Sequence, residues 1–252
     1  MPKEYLYELP LNERLRTFMR IEFLSKRLNY FLELDDSWAT RSIIHGLIEI
    51  YSILSRTDVR REVITDLDRY IYNMKQYQDS QLIDIQLRSK EFQEDLESLK
   101  ARVEDSGPDY LKPLRKNEFL NSLLHRQTLP GGKAEFDMPK YKFWLDSGRT
   151  KSDIDQFIGV LEPVCNSVDK LLWMIRESTE AISTVAVDGF YNHQISSNHK
   201  ISLVRIFLEE NTIYPEISGG KHLISIRFFN WEDSEEKWSQ TEENINFRIS
   251  LC

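Results

Sequence analysis

Cysteine is nearly missing from this 252-residue chain. Its two thiols, Cys165 and Cys252, lie far apart in sequence, no Cys-x-x-Cys occurs, and no disulfide framework is suggested. Glycine (9) and proline (8) are scarce as well, which favours long elements over many tight turns. Long apolar runs are lacking: the longest is Leu171-Leu172-Trp173-Met174-Ile175, whereas a membrane-crossing helix needs about 20 such residues. The start, Met1-Pro2-Lys3-Glu4-Tyr5, has no apolar signal core. The expectation is a soluble, cytoplasmic protein without membrane insertion. A surplus of positive charge is lacking too, since 33 Lys and Arg face 41 Asp and Glu for a net charge of -8. Nucleic-acid binders usually draw most of their affinity from phosphate neutralisation, so no nucleic-acid partner is expected. Any basic surface must be local.

Chemistry-bearing motifs are equally thin. Gly-Gly-Lys occurs at 131–133 and 219–221, but a phosphate loop would need glycine at Gln127 or Pro215 and a hydroxyl at Ala134 or His222. Both runs read as turns. His45, His125, His193, His199 and His222 form no metal-ligand spacing. No Gly-x-Ser-x-Gly elbow occurs. Carboxylate pairs such as Asp35-Asp36 and Asp66/Asp68 are ordinary in a chain this acidic. The chain is therefore expected to have no catalytic residue, no metal and no cofactor.

What is present is aromatic and periodic. Five Trp, 11 Tyr and 13 Phe mark a folded protein. Tyr5 to Leu9 reads as a short strand ended by Pro10. From Leu11 to about Leu34, Leu11, Leu15, Phe18, Leu24, Leu28 and Leu32 recur at helical steps. Further helical patterns cover 37–55 and 59–77, with Asp58 as a cap for the latter. A charge-rich helix over 80–104 carries a narrow apolar stripe and ends at Ser106-Gly107-Pro108. A shorter helix at about 111–127 leads to the turn Leu129-Pro130-Gly131-Gly132. Residues 152–179 are helical again, with Pro163 interrupting or kinking them. Beyond Ser183 the texture becomes β. Residues 184–191 suggest one strand, with others at 201–208, 222–229 and 245–251, separated by turns and joined as antiparallel hairpins. The stretch from Trp231 to Glu243 carries six acids and reads as a solvated hairpin loop. The fold class is α+β: a large helical domain over 10–182, and an antiparallel β-sheet domain over 183–252 that the strand at 3–9 joins.

A few basic positions stand out against the acidic total. Arg16, Arg20 and Arg27 fall within about 40° of one another on a helical wheel, with Phe23 on the same side. They form either a solvated edge with intrahelical pairs, for example to Glu13, or a guanidinium row that grips partner carboxylates. Lys142, between Tyr141 and Phe143-Trp144, suits a peptide groove, unless those aromatics are core. Lys221 and Arg227 flank the start of a strand, where Arg227 either faces solvent or pairs with the acids that follow.

Several segments together resemble the ZapD family. They are Pro10-Leu11-Asn12-Glu13-Arg14-Leu15-Arg16-Thr17-Phe18-Met19-Arg20-Ile21-Glu22-Phe23-Leu24, Leu129-Pro130-Gly131-Gly132, Phe136-Asp137-Met138-Pro139, Phe143-Trp144-Leu145, Gly189-Phe190-Tyr191, Tyr214-Pro215-Glu216-Ile217-Ser218-Gly219 and Ile226-Arg227-Phe228. The resemblance implies a helical domain joined to a β-domain in a homodimer. It also implies binding of the C-terminal tail of the tubulin-like protein FtsZ on a basic surface, with cross-linking of FtsZ filaments at the mid-cell division site. By motif it carries Arg16, Arg20, Arg56, Arg115 and Arg227 to that surface. Lys142 stands where relatives can carry histidine. Glu118 replaces a basic residue three after Arg115, beside Lys116, and Leu223 replaces one four before Arg227. Lys142 and Lys221 complete the expected partner-binding set. The rival readings are an enzyme with a polar site between the two parts, a nucleic-acid module using the Arg16/Arg20 face, and a dimeric scaffold for another cytoplasmic protein.

Overall fold

The computed structural model describes residues 4–77, 83–126, 129, 134, 136–196, 200–220, 222–232 and 237–252, of which 76–77, 83–89 and 232 are described by backbone alone. In chain order the elements are β1 (Tyr5–Pro10), α1 (Glu13–Leu32), α2 (Ser37–Arg56), α3 (Val59–Tyr77), α4 (Ile83–Asp105), α5 (Lys112–Arg115), α6 (Glu118–His125), α7 (Pro139–Asp146), α8 (Thr150–Glu177), β2 (Ile182–Ala186), β3 (Phe190–Gln194), β4 (Leu203–Leu208), β5 (Ile213–Gly219), β6 (Leu223–Glu232), β7 (Lys237–Gln240) and β8 (Ile245–Leu251). The class is α+β. The chain forms two compact units, Met1–Met19 with Leu172–Cys252, and Arg20–Leu171.

The first unit is a β-sandwich. One antiparallel sheet runs β1-β4-β8-β2; in the other, β6 pairs with β5 on one edge and with β3 and β7 on the opposite edge. Alternation sends Val204, Ile206 and Leu208 of β4, Ile224, Ile226 and Phe228 of β6, and Ile245, Phe247 and Ile249 of β8 into one shared core. Each such side chain contributes about 1.5–3 kcal/mol on burial. Opposite the core, Glu8 on β1 is register partner to Arg205 on β4. Its carboxylate accepts from Arg205 Nε at 3.0 Å, and from Arg176 Nε at 2.9 Å and Nη2 at 2.8 Å, in the last turn of α8. Arg205 Nη1 also donates to the Arg176 carbonyl at 2.9 Å. All three side chains are largely buried.

The second unit is helical. Val59, Val63, Leu67 and Ile71 recur every four residues on α3 and are all buried. α3 and α4 are clasped by Lys100 and Asp68 at 2.7 Å, and the bond to Asp68 raises the Lys100 pKa above its ordinary value. Arg60 donates to the Val103 and Glu104 carbonyls, both at 3.1 Å, at the C-terminal end of α4. Side-chain caps start the helices: Asn12 accepts from Leu15 N–H, Asp36 from Trp38 and Ala39 N–H, Asp58 from Arg61 N–H and Asn117 from Leu120 N–H.

The structure departs from the sequence expectations in definite places. Residues 184–191 are two strands, not one. Asp188 (φ 51°) and Gly189 (φ 64°) make a tight two-residue turn between β2 and β3, which belong to different sheets. The single helix expected at 111–127 breaks into α5 and α6, because the Asn117 side chain restarts it. Helix α8 runs continuously through Pro163. β5, despite Pro215, and β7 are strands that the pattern did not show; β7 pairs antiparallel with β6, so 231–232 and 237–240 of the acidic stretch are strand, and 233–236 lie outside the described residues. The Leu-Pro-Gly-Gly turn falls mostly outside the described residues.

Replacing Glu8 with Gln is expected to destabilise the protein by about 3–5 kcal/mol, because two buried guanidiniums lose their counter-charge. Urea unfolding followed by Trp fluorescence measures this. Gly189→Ala is expected to cost at least about 2 kcal/mol, since a Cβ there would lie 2.2 Å from the Thr241 carbonyl oxygen on top of the positive φ; the same unfolding curve reports it.

Candidate functional site

The corner where α2 gives way to α3 holds a concavity with a volume of about 370 Å³. Its local cause is the short connection Arg56-Thr57-Asp58. Thr57, at the C-cap of α2, is extended, and the Asp58 carboxylate caps α3 at once, so two helices diverge from one point. Leu54, Ile64, Pro108 and Leu111 supply apolar wall, and Arg60, Arg61, Arg115 and Asp58 supply charge. Arg56 is exposed beside two lining residues, Ser55 and Thr57. The Arg60 fork is engaged by backbone carbonyls, not by an acid. The side chains of Arg56, Arg61 and Arg115 make no ion pair among the described residues. Three guanidiniums, those of Arg60, Arg61 and Arg115, and one carboxylate, that of Asp58, thus line the pocket. Burial pushes the phenol of Tyr110, which also lines it, above its ordinary value, leaving a neutral hydroxyl that can donate. The arrangement suits an acidic ligand with an apolar portion, since guanidinium forks grip carboxylates at two points.

The other expected positions divide by surroundings. On α1, Arg16 is committed locally: its Nη1 pairs with Glu13 at 2.7 Å and its Nη2 donates to the Pro10 carbonyl at 3.3 Å. Arg27 pairs with Glu49 of α2, so the guanidinium row is not a free row. Arg20 is exposed and has no ion pair among the described residues. On α7, Tyr141 and Trp144 are core, packed with Phe119 and with the Trp144 indole N–H donating to Asp153 at 2.8 Å. The intervening Lys142 and Phe143 face outward, Lys142 paired with Asp146 at 3.4 Å.

Arg227 lies on the solvent face of β6. It stands over the Phe190 ring at 5.9 Å and opposite Glu216 in register, with no acid in salt-bridge reach among the described residues. The same face carries Tyr214, Phe229, Trp231 and Trp238, linked ring to ring at 5.1–5.6 Å. Lys221 lies outside the described residues.

The structure thus places Arg115 in the lining of this pocket and Arg56 next to it in the chain, between two lining residues, within one unit. Sequence reasoning missed Arg60, Arg61 and Tyr110. The run Arg60-Arg61, directly after the Asp58 cap, was the available signal. Among the described residues no group of three or more His, Cys, Asp or Glu could hold a metal, and no helix is long and apolar enough to cross a membrane.

Comparison with known proteins bears on this arrangement. A family described as "ZapD: Cell division protein" matches residues 19–227. Proteins named "Cell division protein ZapD" are similar along the whole chain: one from Methylococcus capsulatus is 29% identical, covering 100% of this chain and 99% of its own length. One from Bordetella petrii is 33% identical with 98% of each covered, and one from Nitrosomonas eutropha is 28% identical, again with 98% of each covered. A match of this extent, spanning the basic corner of the helical unit and the Arg227 strand alike, means that the chain belongs to the ZapD family of cell division proteins.

Proposed function

We propose that this protein is a non-enzymatic adaptor of division-septum assembly that binds the C-terminal tail of FtsZ and, as a homodimer, cross-links FtsZ filaments in the cytoplasm at mid-cell, stabilising the Z-ring. The observation that carries this reading is a set of unneutralised guanidiniums in an acidic protein of the ZapD family: Arg20, Arg56, Arg115 and Arg227 are exposed without ion pairs among the described residues. Most side-chain cations of a stable fold find a partner or stay scattered. Here they stand beside exposed aromatic and apolar surface, as Arg227 does on the Phe190 ring. Arg16, Lys142 and Lys221 belong to the same proposed partner-binding set, Arg16 and Lys142 by exchanging a local acid for a tail carboxylate.

The mechanism has two steps. Each protomer captures one tail through cation–carboxylate contacts and apolar contacts. A dimer then holds two tails, and the second capture is effectively intramolecular, so weak single contacts become durable filament attachment. Exposed charges are screened beyond about 8–10 Å at ordinary salt, which makes the capture salt-dependent.

Fluorescence anisotropy of a labelled peptide carrying the C-terminal tail of the cognate FtsZ tests the reading. Saturable binding is expected, weakening as salt rises from about 50 to 500 mM, and falling by about tenfold or more in an Arg20→Glu, Arg227→Glu double variant. Absence of binding by the unaltered protein overturns tail capture; affinity indifferent to salt overturns its charge-based part.

A further inference from the structure

The corner pocket has a composition that the general idea of a basic surface does not explain. A flat cationic patch needs no cavity. This one has an apolar wall from Leu54, Ile64 and Leu111. At about 370 Å³ it falls near the lower end of ligand pockets, which span about 300–1,000 Å³. That is room enough for one bulky side chain. The mouth carries Arg61 and Arg115, exposed and free of ion pairs among the described residues. Arg60 adds a third charge, held in place by the end of α4.

We infer that this pocket is the anchoring subsite of tail capture, seating one bulky apolar side chain of an acidic peptide while Arg61 and Arg115 hold a carboxylate next to it in that peptide. The inference rests on the tail-capture reading and adds which residues select and what they select for. The two halves of the site require each other. A lone oxyanion would leave the apolar wall in water, and a purely apolar ligand would cover the guanidiniums of Arg61 and Arg115 with the Asp58 carboxylate as the one acid in the lining, which leaves positive charge uncompensated and is costly. A polynucleotide offers phosphate, but the -8 net charge of the chain repels it at long range. A peptide with both features satisfies the wall and the forks together. The Tyr110 hydroxyl, which makes no hydrogen bond among the described residues, is available to a peptide carbonyl.

The test is a double-mutant cycle with the full chain and the labelled tail peptide of the cognate FtsZ. On the protein side the variants are Arg61→Gln and Ser55→Trp, the latter filling the pocket from an exposed position. On the peptide side each acid is changed in turn to its amide, and each bulky apolar residue to Ala. Arg61→Gln is expected to weaken binding about tenfold, and one acid-to-amide peptide is expected to lose no further affinity against it. Ser55→Trp is expected to weaken binding similarly and to abolish the effect of one apolar-to-Ala change. Circular dichroism melting checks that both variants fold. Tail binding that is intact in both variants, or losses that simply add, overturns the pocket assignment and leaves tail capture standing. Failure of the unaltered protein to bind the peptide overturns both.

Discussion

The carboxylate of Glu8 ties β1 to β4 and to the last turn of α8. It accepts from Arg176, 168 residues later, and from Arg205, 197 residues later. The chain leaves the β-sandwich unit at Met19 and re-enters it at Leu172, so the whole helical unit is an insertion between two parts of one sandwich. Closing a flexible segment of that length costs about 4–5 kcal/mol of chain entropy. The ladder between β1 and β4 and the Glu8 triad offset that cost at the point of closure. With β1 seated, Asn12 can cap α1 immediately after it, and Arg16 is then fixed by Glu13 and the Pro10 carbonyl.

Beside cations that pair within their own helix, such as Arg16 with Glu13 and Lys142 with Asp146, two populations stand apart in this acidic protein. Arg176 and Arg205 are buried on Glu8, Arg27 is paired with Glu49, Lys100 with Asp68, Lys170 with Asp95 and Arg102 with Glu162. These join elements and are consumed by the fold. Arg20, Arg56, Arg61, Arg115 and Arg227 make no ion pair among the described residues. A free guanidinium on an exposed helix is unremarkable alone. Three of these share the α2–α3 corner with apolar wall, and another stacks over an aromatic ring on a sheet face rich in Trp and Tyr. Under the proposed tail capture, that distribution meets the carboxylates and apolar side chains of an acidic peptide.

Much of the fold was legible because its elements are long and strongly periodic. Leu15, Phe18, Leu24 and Leu28 on α1, and Phe247 and Ile249 on β8, are buried as their spacing required. What was not legible depended on tertiary pairing. β5 contains a proline, and only its partner β6 makes it a strand. β7 is four residues long and polar outside its tryptophan. The β2–β3 turn was hidden because Asp188-Gly189 interrupts an otherwise continuous β-forming run. The site was half legible. Arg56 and Arg115 were reached by family resemblance, but that Arg115 shares a pocket with Arg61 and Tyr110 follows from the packing of α3 against the end of α4, which no local pattern encodes. Arg16 pairs with Glu13 as the intrahelical reading expected, whereas Arg27 pairs with Glu49 of α2, a cross-element contact that wheel geometry does not show.

The most direct measurement is co-sedimentation of this protein with GTP-assembled filaments of the cognate FtsZ, run in parallel with FtsZ lacking its C-terminal tail. Tail-dependent adaptor function predicts that the protein pellets with intact filaments and gathers them into bundles, and stays in the supernatant with tail-less ones. Equal pelleting with both would contradict it, placing the contact on the filament body and not on the tail.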